Sequence, residues 1–82
     1  MLIIFDEPKR LANIEKHGFD FAELDVEFFE AARILPAKVG RFMAIGEFNG
    51  EILAVFFRPL GKEALSVVSM RPASRKERRI LK

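Results

Sequence analysis

Apolar residues fall along this chain at two different spacings, and the changes of spacing mark its elements. Leu2–Phe5 is a short continuous apolar run of strand length. From Asp6 the rhythm becomes helical: Asp6 can cap a helix, Pro8 is tolerated in its first turn, and Gly18 supplies a left-handed stop. The pattern predicts a helix over Glu7–His17 with Leu11 and Ile14 on its buried side. Lys9, Asn13, Lys16 and His17 lie at i, i+4, i+7 and i+8 and form one polar stripe.

Asp20 and Glu23 then make a capping-box pattern. A second helix is expected to about Ala32, with Phe21, Leu24, Phe28 and Ala31 on one face and Val26 and Phe29 widening it. Pro36 to Gly40 reads as a loop. Arg41–Phe48 and Glu51–Arg58 are apolar, strand-length segments joined by Asn49-Gly50, the strongest short hairpin signal. Pro59, Gly61 and Lys62 mark another turn, and Ala64–Met70 is a Val-rich strand. Ser74 and Glu77 repeat the capping-box pattern and open a short C-terminal helix. The expected architecture is α+β: an antiparallel sheet of four to five strands, two N-terminal helices and a short C-terminal one.

Length and composition narrow the class. Eighty-two residues support one domain, residues 1–82, with no repeat or linker. With 50% hydrophobic and 32% charged residues the chain reads as globular. No apolar run approaches the ~20 residues of a membrane span, and the N-terminus does not read as a signal peptide, so a cytoplasmic protein without membrane contact is expected.

The net charge of +2 conceals a gradient. Residues 1–30 hold three basic and eight acidic side chains, whereas residues 71–82 hold six basic ones against Glu77 alone. Such a terminus suits a polyanion or an acidic protein partner, and equally a solvated basic tail.

Inventory excludes most chemistries. One His and no Cys leave no transition-metal site or thiol nucleophile, so no metal or other cofactor is expected. Ser66, Ser69 and Ser74 lack a nucleophile elbow, and there is no glycine-rich phosphate loop. The remaining Lys, Arg, His and carboxylates suit metal-independent phosphodiester cleavage, which depends on positioning and charge stabilisation. They suit a non-catalytic binding module as well.

Three blocks sharpen this. Asp6-x-x-Lys9-x-x-x-Asn13-x-x-Lys16-His17-Gly18-Phe19-x-Phe21 resembles the opening signature of BrnT-type toxins. Arg41-Phe42-Met43-Ala44-Ile45-Gly46 resembles that family's middle strand. Val68-Ser69-Met70-Arg71-Pro72-Ala73-Ser74-Arg75-Lys76-Glu77-Arg78 resembles its closing block. The chain departs from the family at Gly40, usually acidic there, and at Leu81, usually aromatic.

The resemblance implies a RelE-like fold and a ribonuclease of a type II toxin–antitoxin pair that arrests translation. It also implies a DNA-binding antitoxin of the BrnA type, through which alone the toxin would meet DNA. An alternative is a degenerate, non-catalytic toxin-like module that binds RNA or the antitoxin.

On this reading Arg71 is the expected phosphate contact in the transition state, because a guanidinium can grip phosphate with two hydrogen bonds. A salt bridge to Glu77 is its structural alternative. Arg41 is expected to meet Arg71 across the sheet. Lys16 and His17 join them as candidate catalytic residues, His17 as proton donor or phosphate contact in a last helical turn that favours positive charge. Lys9, Arg75, Lys76 and Arg79 are candidate RNA contacts, and Asn13 reads as structural.

Overall fold

Asp6 and Gly18 bracket the first helix as their chemistry requires. The Asp6 carboxylate accepts from the Lys9 N–H at 2.9 Å, and the Gly18 N–H donates to the Ile14 carbonyl at 2.8 Å. The computed structural model describes residues 1–81; Lys82, counted above in the basic terminus, lies outside them. In chain order the elements are β1 (Leu2–Ile4), α1 (Glu7–His17), a 3-10 turn (Phe21–Glu23), α2 (Val26–Ala31), β2 (Arg33–Pro36), β3 (Phe42–Phe48), β4 (Glu51–Leu60), β5 (Ala64–Pro72) and α3 (Arg75–Leu81).

The strands form one sheet in the order β1-β5-β4-β3-β2. It is mixed rather than purely antiparallel: β1 runs parallel to β5, with Leu2 opposite Ala64 and Ile4 opposite Ser66. The reason is the intervening crossover, which returns the chain to the far edge of the sheet rather than turning it back in a hairpin. Asn49 and Gly50 both have positive φ, 51° and 84°, and join β3 to β4 in a tight two-residue turn. β2, in a stretch that carries no strand signal, adds the second edge.

The second helix also differs from the sequence expectation. Asp20 does not start a helix running to Ala32. It caps the 3-10 turn instead, and its carboxylate is held by the Arg10 guanidinium at 2.7 and 2.9 Å. Arg10 first, and the Ala22 N–H after it, hold the Asp20 carboxyl below its ordinary value. Asp25 then restarts the chain as N-cap of α2, accepting from the Phe28 N–H at 2.9 Å. Two capping aspartates five residues apart interrupt what the apolar periodicity alone reads as one helix.

Strand alternation gives the sheet two unlike faces. Ala44, Leu53, Val55, Phe57, Leu65, Val67 and Met70 join Phe21, Leu24, Phe28 and Phe29 in the core. Phe29 meets Phe57 edge-on at 5.5 Å, and Phe42 stacks on Phe57 at 6.0 Å. Gly46 marks where α2 presses closest. A Cβ there would lie 3.1 Å from a Phe28 ring carbon and 3.2 Å from the Ala32 Cβ. The opposite face presents Met43, Ile45, Ala54, Phe56, Ser69 and Arg71. Of these Ile45 and Ala54 are fully buried, at the end where α3 lies against β3.

Candidate functional site

α1 sits on β5 rotated from its expected face: Ile14 stays half-buried and Lys9 and Lys16 exposed, but Leu11 and Asn13 change places. Leu11, expected inside, is 54% exposed, while Asn13 of the polar stripe is only 6% exposed. The cause is the free edge of β5. β1 pairs it only as far as Ser66, which leaves the Met70 N–H and C=O without a strand partner on that side. Asn13 takes the strand's place. Its amide Oδ1 accepts from the Met70 N–H at 3.1 Å, and its Nδ2 donates to the Met70 and Phe19 carbonyls at 2.9 and 3.0 Å. A buried side-chain amide so fully engaged fixes the helix against the strand.

That attachment turns the rest of the stripe toward β5. Lys9, Ala12, Asn13, Lys16 and His17 form one wall of a cleft of about 200 Å³, and Val68 and Ser69 form the other. Val68 is a β-bulge: Phe56 pairs with Ser69 and Phe57 with Val67, so Val68 has no partner on β4. Such bulges re-aim side chains locally. Lys16 is exposed and His17 half-buried, so both side chains remain reachable from solvent.

Arg71 lies beside this cleft, two residues beyond Ser69 on the same face of β5. Its guanidinium sits 5.2 Å from the Phe56 ring centroid. Nη1 and Nη2 each donate to one Glu77 oxygen at 2.9 Å, and Nη1 also donates to the Pro72 carbonyl at 3.0 Å. Glu77 in turn accepts from the Ser74 N–H at 2.7 Å, while the Glu77 N–H donates to Ser74 Oγ at 3.2 Å. The capping box and the arginine are thus one unit.

Arg71, followed by the Ser74 N–H, pulls the Glu77 carboxyl down to about 2, and Glu77 raises the Arg71 guanidinium above its ordinary value. The salt bridge does not consume the arginine. A guanidinium has five N–H donors, of which three are engaged. The Nε–H and the second Nη2–H, which share one edge, stay available for a bidentate grip on an oxyanion.

The other expected site residues lie elsewhere. Arg41 does not meet Arg71: the Arg71 row crosses Ala54 and reaches β3 at Ile45. Arg41 is four residues farther along, about 13 Å at strand rise. Arg75, Lys76 and Arg79 are exposed on α3 and line no part of the cleft.

Sequence reasoning read Asn13 as structural, as found, but missed Ser69 and two arginines, Arg33 and Arg58. By register both arginines share the open face with Arg71. The bulge shifts the parity of β5, so no simple alternation finds them together. Gly40, where the related pattern is acidic, sits at φ 75° in a turn closed by the Arg41 N–H on the Lys38 carbonyl at 2.8 Å.

Comparison with known proteins agrees with the three sequence blocks. The profile of the family described as "Ribonuclease toxin, BrnT, of type II toxin-antitoxin system" matches residues 5–77. Among solved structures, the chain is similar to the crystal structure of the Brucella abortus ribonuclease toxin, BrnT. Identity is 63% and the TM-score 0.86, over 92% of this chain and 99% of that one. A search of curated proteins gives no match.

Proposed function

The chain belongs to the BrnT family of ribonuclease toxins of type II toxin–antitoxin systems, and we propose that it cuts RNA in the cleft between α1 and β5 by metal-independent transesterification, thereby arresting translation. The observation that carries this reading is the Asn13 attachment, which brings Lys9, Lys16 and His17 to the strand that holds Ser69 and Arg71. Lys9 and Lys16 then stand on one wall of a space open to solvent, and Arg71 lies beside it on β5.

The chemistry follows from those groups. The RNA 2′-oxygen attacks the adjacent phosphorus and gives its proton to a base or to water. The bond from phosphorus to the 5′-oxygen breaks, and that oxygen leaves with a proton donated by His17. The products are a 2′,3′-cyclic phosphate and a 5′-hydroxyl end. Arg71 grips the non-bridging oxygens through its free edge, and Lys9 and Lys16 stabilise the charge that builds on the phosphorane. Arg75, Lys76 and Arg79 hold flanking phosphates from α3, and Arg41, about 13 Å along the strand from the Arg71 row, contacts the RNA away from the scissile phosphate. Neutralisation falls to a DNA-binding antitoxin of the BrnA type.

Metal independence is supported by the donor inventory: one His, no Cys, and no group of three potential ligands among the described residues. The test uses purified protein and single-stranded RNA in EDTA, with and without ribosomes. Cleavage that persists and leaves 5′-hydroxyl ends is expected. Cleavage lost in EDTA and restored by magnesium overturns this chemistry.

A further inference from the structure

The sheet face opposite the core carries a pattern that RNA cleavage does not use. Ile3 and Phe5 pack toward the core, so Leu2 and Ile4 of β1 point to the open face, 65% and 43% exposed. Leu60 lies two strands away in the Leu2 row, through Ala64, and is 44% exposed. The next rows bring Arg58 beside Ser66, and Phe56 between Ser69 and Met43. Arg58, Arg41 and Arg33 make no ion pair among the described residues. Extending the register by one pair places Arg41 opposite Arg58, and like charges across a strand pair are unfavourable without a counter-charge.

We propose that this face is the docking surface of the antitoxin. Its occupant is an antitoxin segment with an apolar stripe seated on Leu2, Ile4, Leu60 and Phe56 and with flanking carboxylates on Arg58, Arg41 and Arg33. The inference rests on the toxin–antitoxin reading above. Charge complementarity requires an acidic partner. The aliphatic end of the face selects a protein over RNA, because Leu and Ile offer no ring for a base to stack on and no donor for a phosphate.

Neutralisation follows from position. The row of Phe56 runs into Ser69, a wall of the cleft, and Arg71 sits over the Phe56 ring. A segment lying there covers the free edge of Arg71 and the mouth of the cleft. Antitoxin anchors and cutting groups are neighbours on one surface, but they are different residues.

The test is the double variant Ile4→Ser/Leu60→Ser, both positions being exposed enough to tolerate a hydroxyl. Calorimetry with the purified cognate antitoxin is expected to show at least tenfold weaker binding than wild type. RNA cleavage without antitoxin should be unchanged, and growth arrest should persist when the antitoxin is co-expressed. Arg58→Glu is expected to weaken antitoxin binding independently.

Unchanged antitoxin affinity in both variants overturns the proposal. So does unchanged antitoxin affinity with weaker binding of an uncleavable 2′-deoxy RNA, which assigns the face to the substrate. A toxin that is dimeric alone and becomes monomeric in the double variant, with antitoxin affinity intact, assigns the face to a second copy and also overturns it. A wild type that binds no antitoxin removes the toxin–antitoxin reading itself, a result distinct from unchanged affinity.

Discussion

The two faces of the sheet obey different rules. On the core face, side chains from β3, β4 and β5 meet Phe21, Phe28 and Phe29, and even a missing Cβ at Gly46 is matched by the approach of α2. On the other face α3 closes one end, and the remainder presents arginines, half-buried Met43 and Phe56, and the wall of a cleft. The first face is specified by volume, so its residues are replaceable only by others of the same shape. Outside buried Ile45 and Ala54, the second is specified by charge and access, so its exposed residues matter to ligands more than to folding.

The contrast is sharpest at Arg71. Arg71→Ala is expected to lower RNA cleavage about 10²- to 10³-fold, the usual effect of removing a pre-positioned donor. Its cost to stability should be small beside that, as measured by initial rates on a labelled RNA alongside urea unfolding. Loss of both together would make Arg71 a structural residue.

Asn13 joins the two regions, and Asn13→Ala tests whether the join holds. Truncation leaves the Met70 N–H and C=O unpartnered beneath a helix, which should cost about 2–3 kcal/mol in urea unfolding. Cleavage should fall as well, because Lys9, Lys16 and His17 lose their register on β5.

A smaller pair of changes separates the faces directly. Gly46→Val forces a side chain into Phe28 and Ala32 and should cost about 2 kcal/mol. Arg58→Ala on the exposed face should change stability by less than about 0.5 kcal/mol. Equal costs for the two would contradict the division of the sheet.

A further effect, smaller than that of Gly46→Val, is a pH dependence. The folded Glu77 carboxyl lies at about 2, below its ordinary 4.5. The stability it contributes is therefore complete above about pH 4.5 and is lost as the pH falls toward 2. Partial exposure of the pair limits this to about 1 kcal/mol. Glu77→Gln should flatten the stability profile over that window while leaving the region above pH 5 parallel to wild type.

These regions also differ in how far the sequence disclosed them. Local chemistry was legible: Asp6, Gly18, Asn49-Gly50 and the Ser74–Glu77 box all occur as their residue types require, because each acts over a few residues. Tertiary decisions were not. Nothing local says that β1 will join β5 in parallel, or that the unpaired edge it leaves will draw Asn13 inward and expose Leu11. The candidate site inherits that split. Lys9, Lys16 and His17 were grouped correctly by helical spacing, whereas the placing of Arg41 against Arg71 failed because strand register is set by pairing, not by proximity in a motif.

The central claim is that RNA engages the cleft between α1 and β5 and the Arg71 guanidinium beside it. Backbone amide shifts on titration with an uncleavable 2′-deoxy oligonucleotide test it most directly. The account predicts that shifts concentrate at Lys9, Lys16, His17, Val68, Ser69 and Arg71, with the acidic stretch Glu23–Glu30 silent. Shifts centred on that stretch, or confined to α3 with the cleft unmoved, would contradict it.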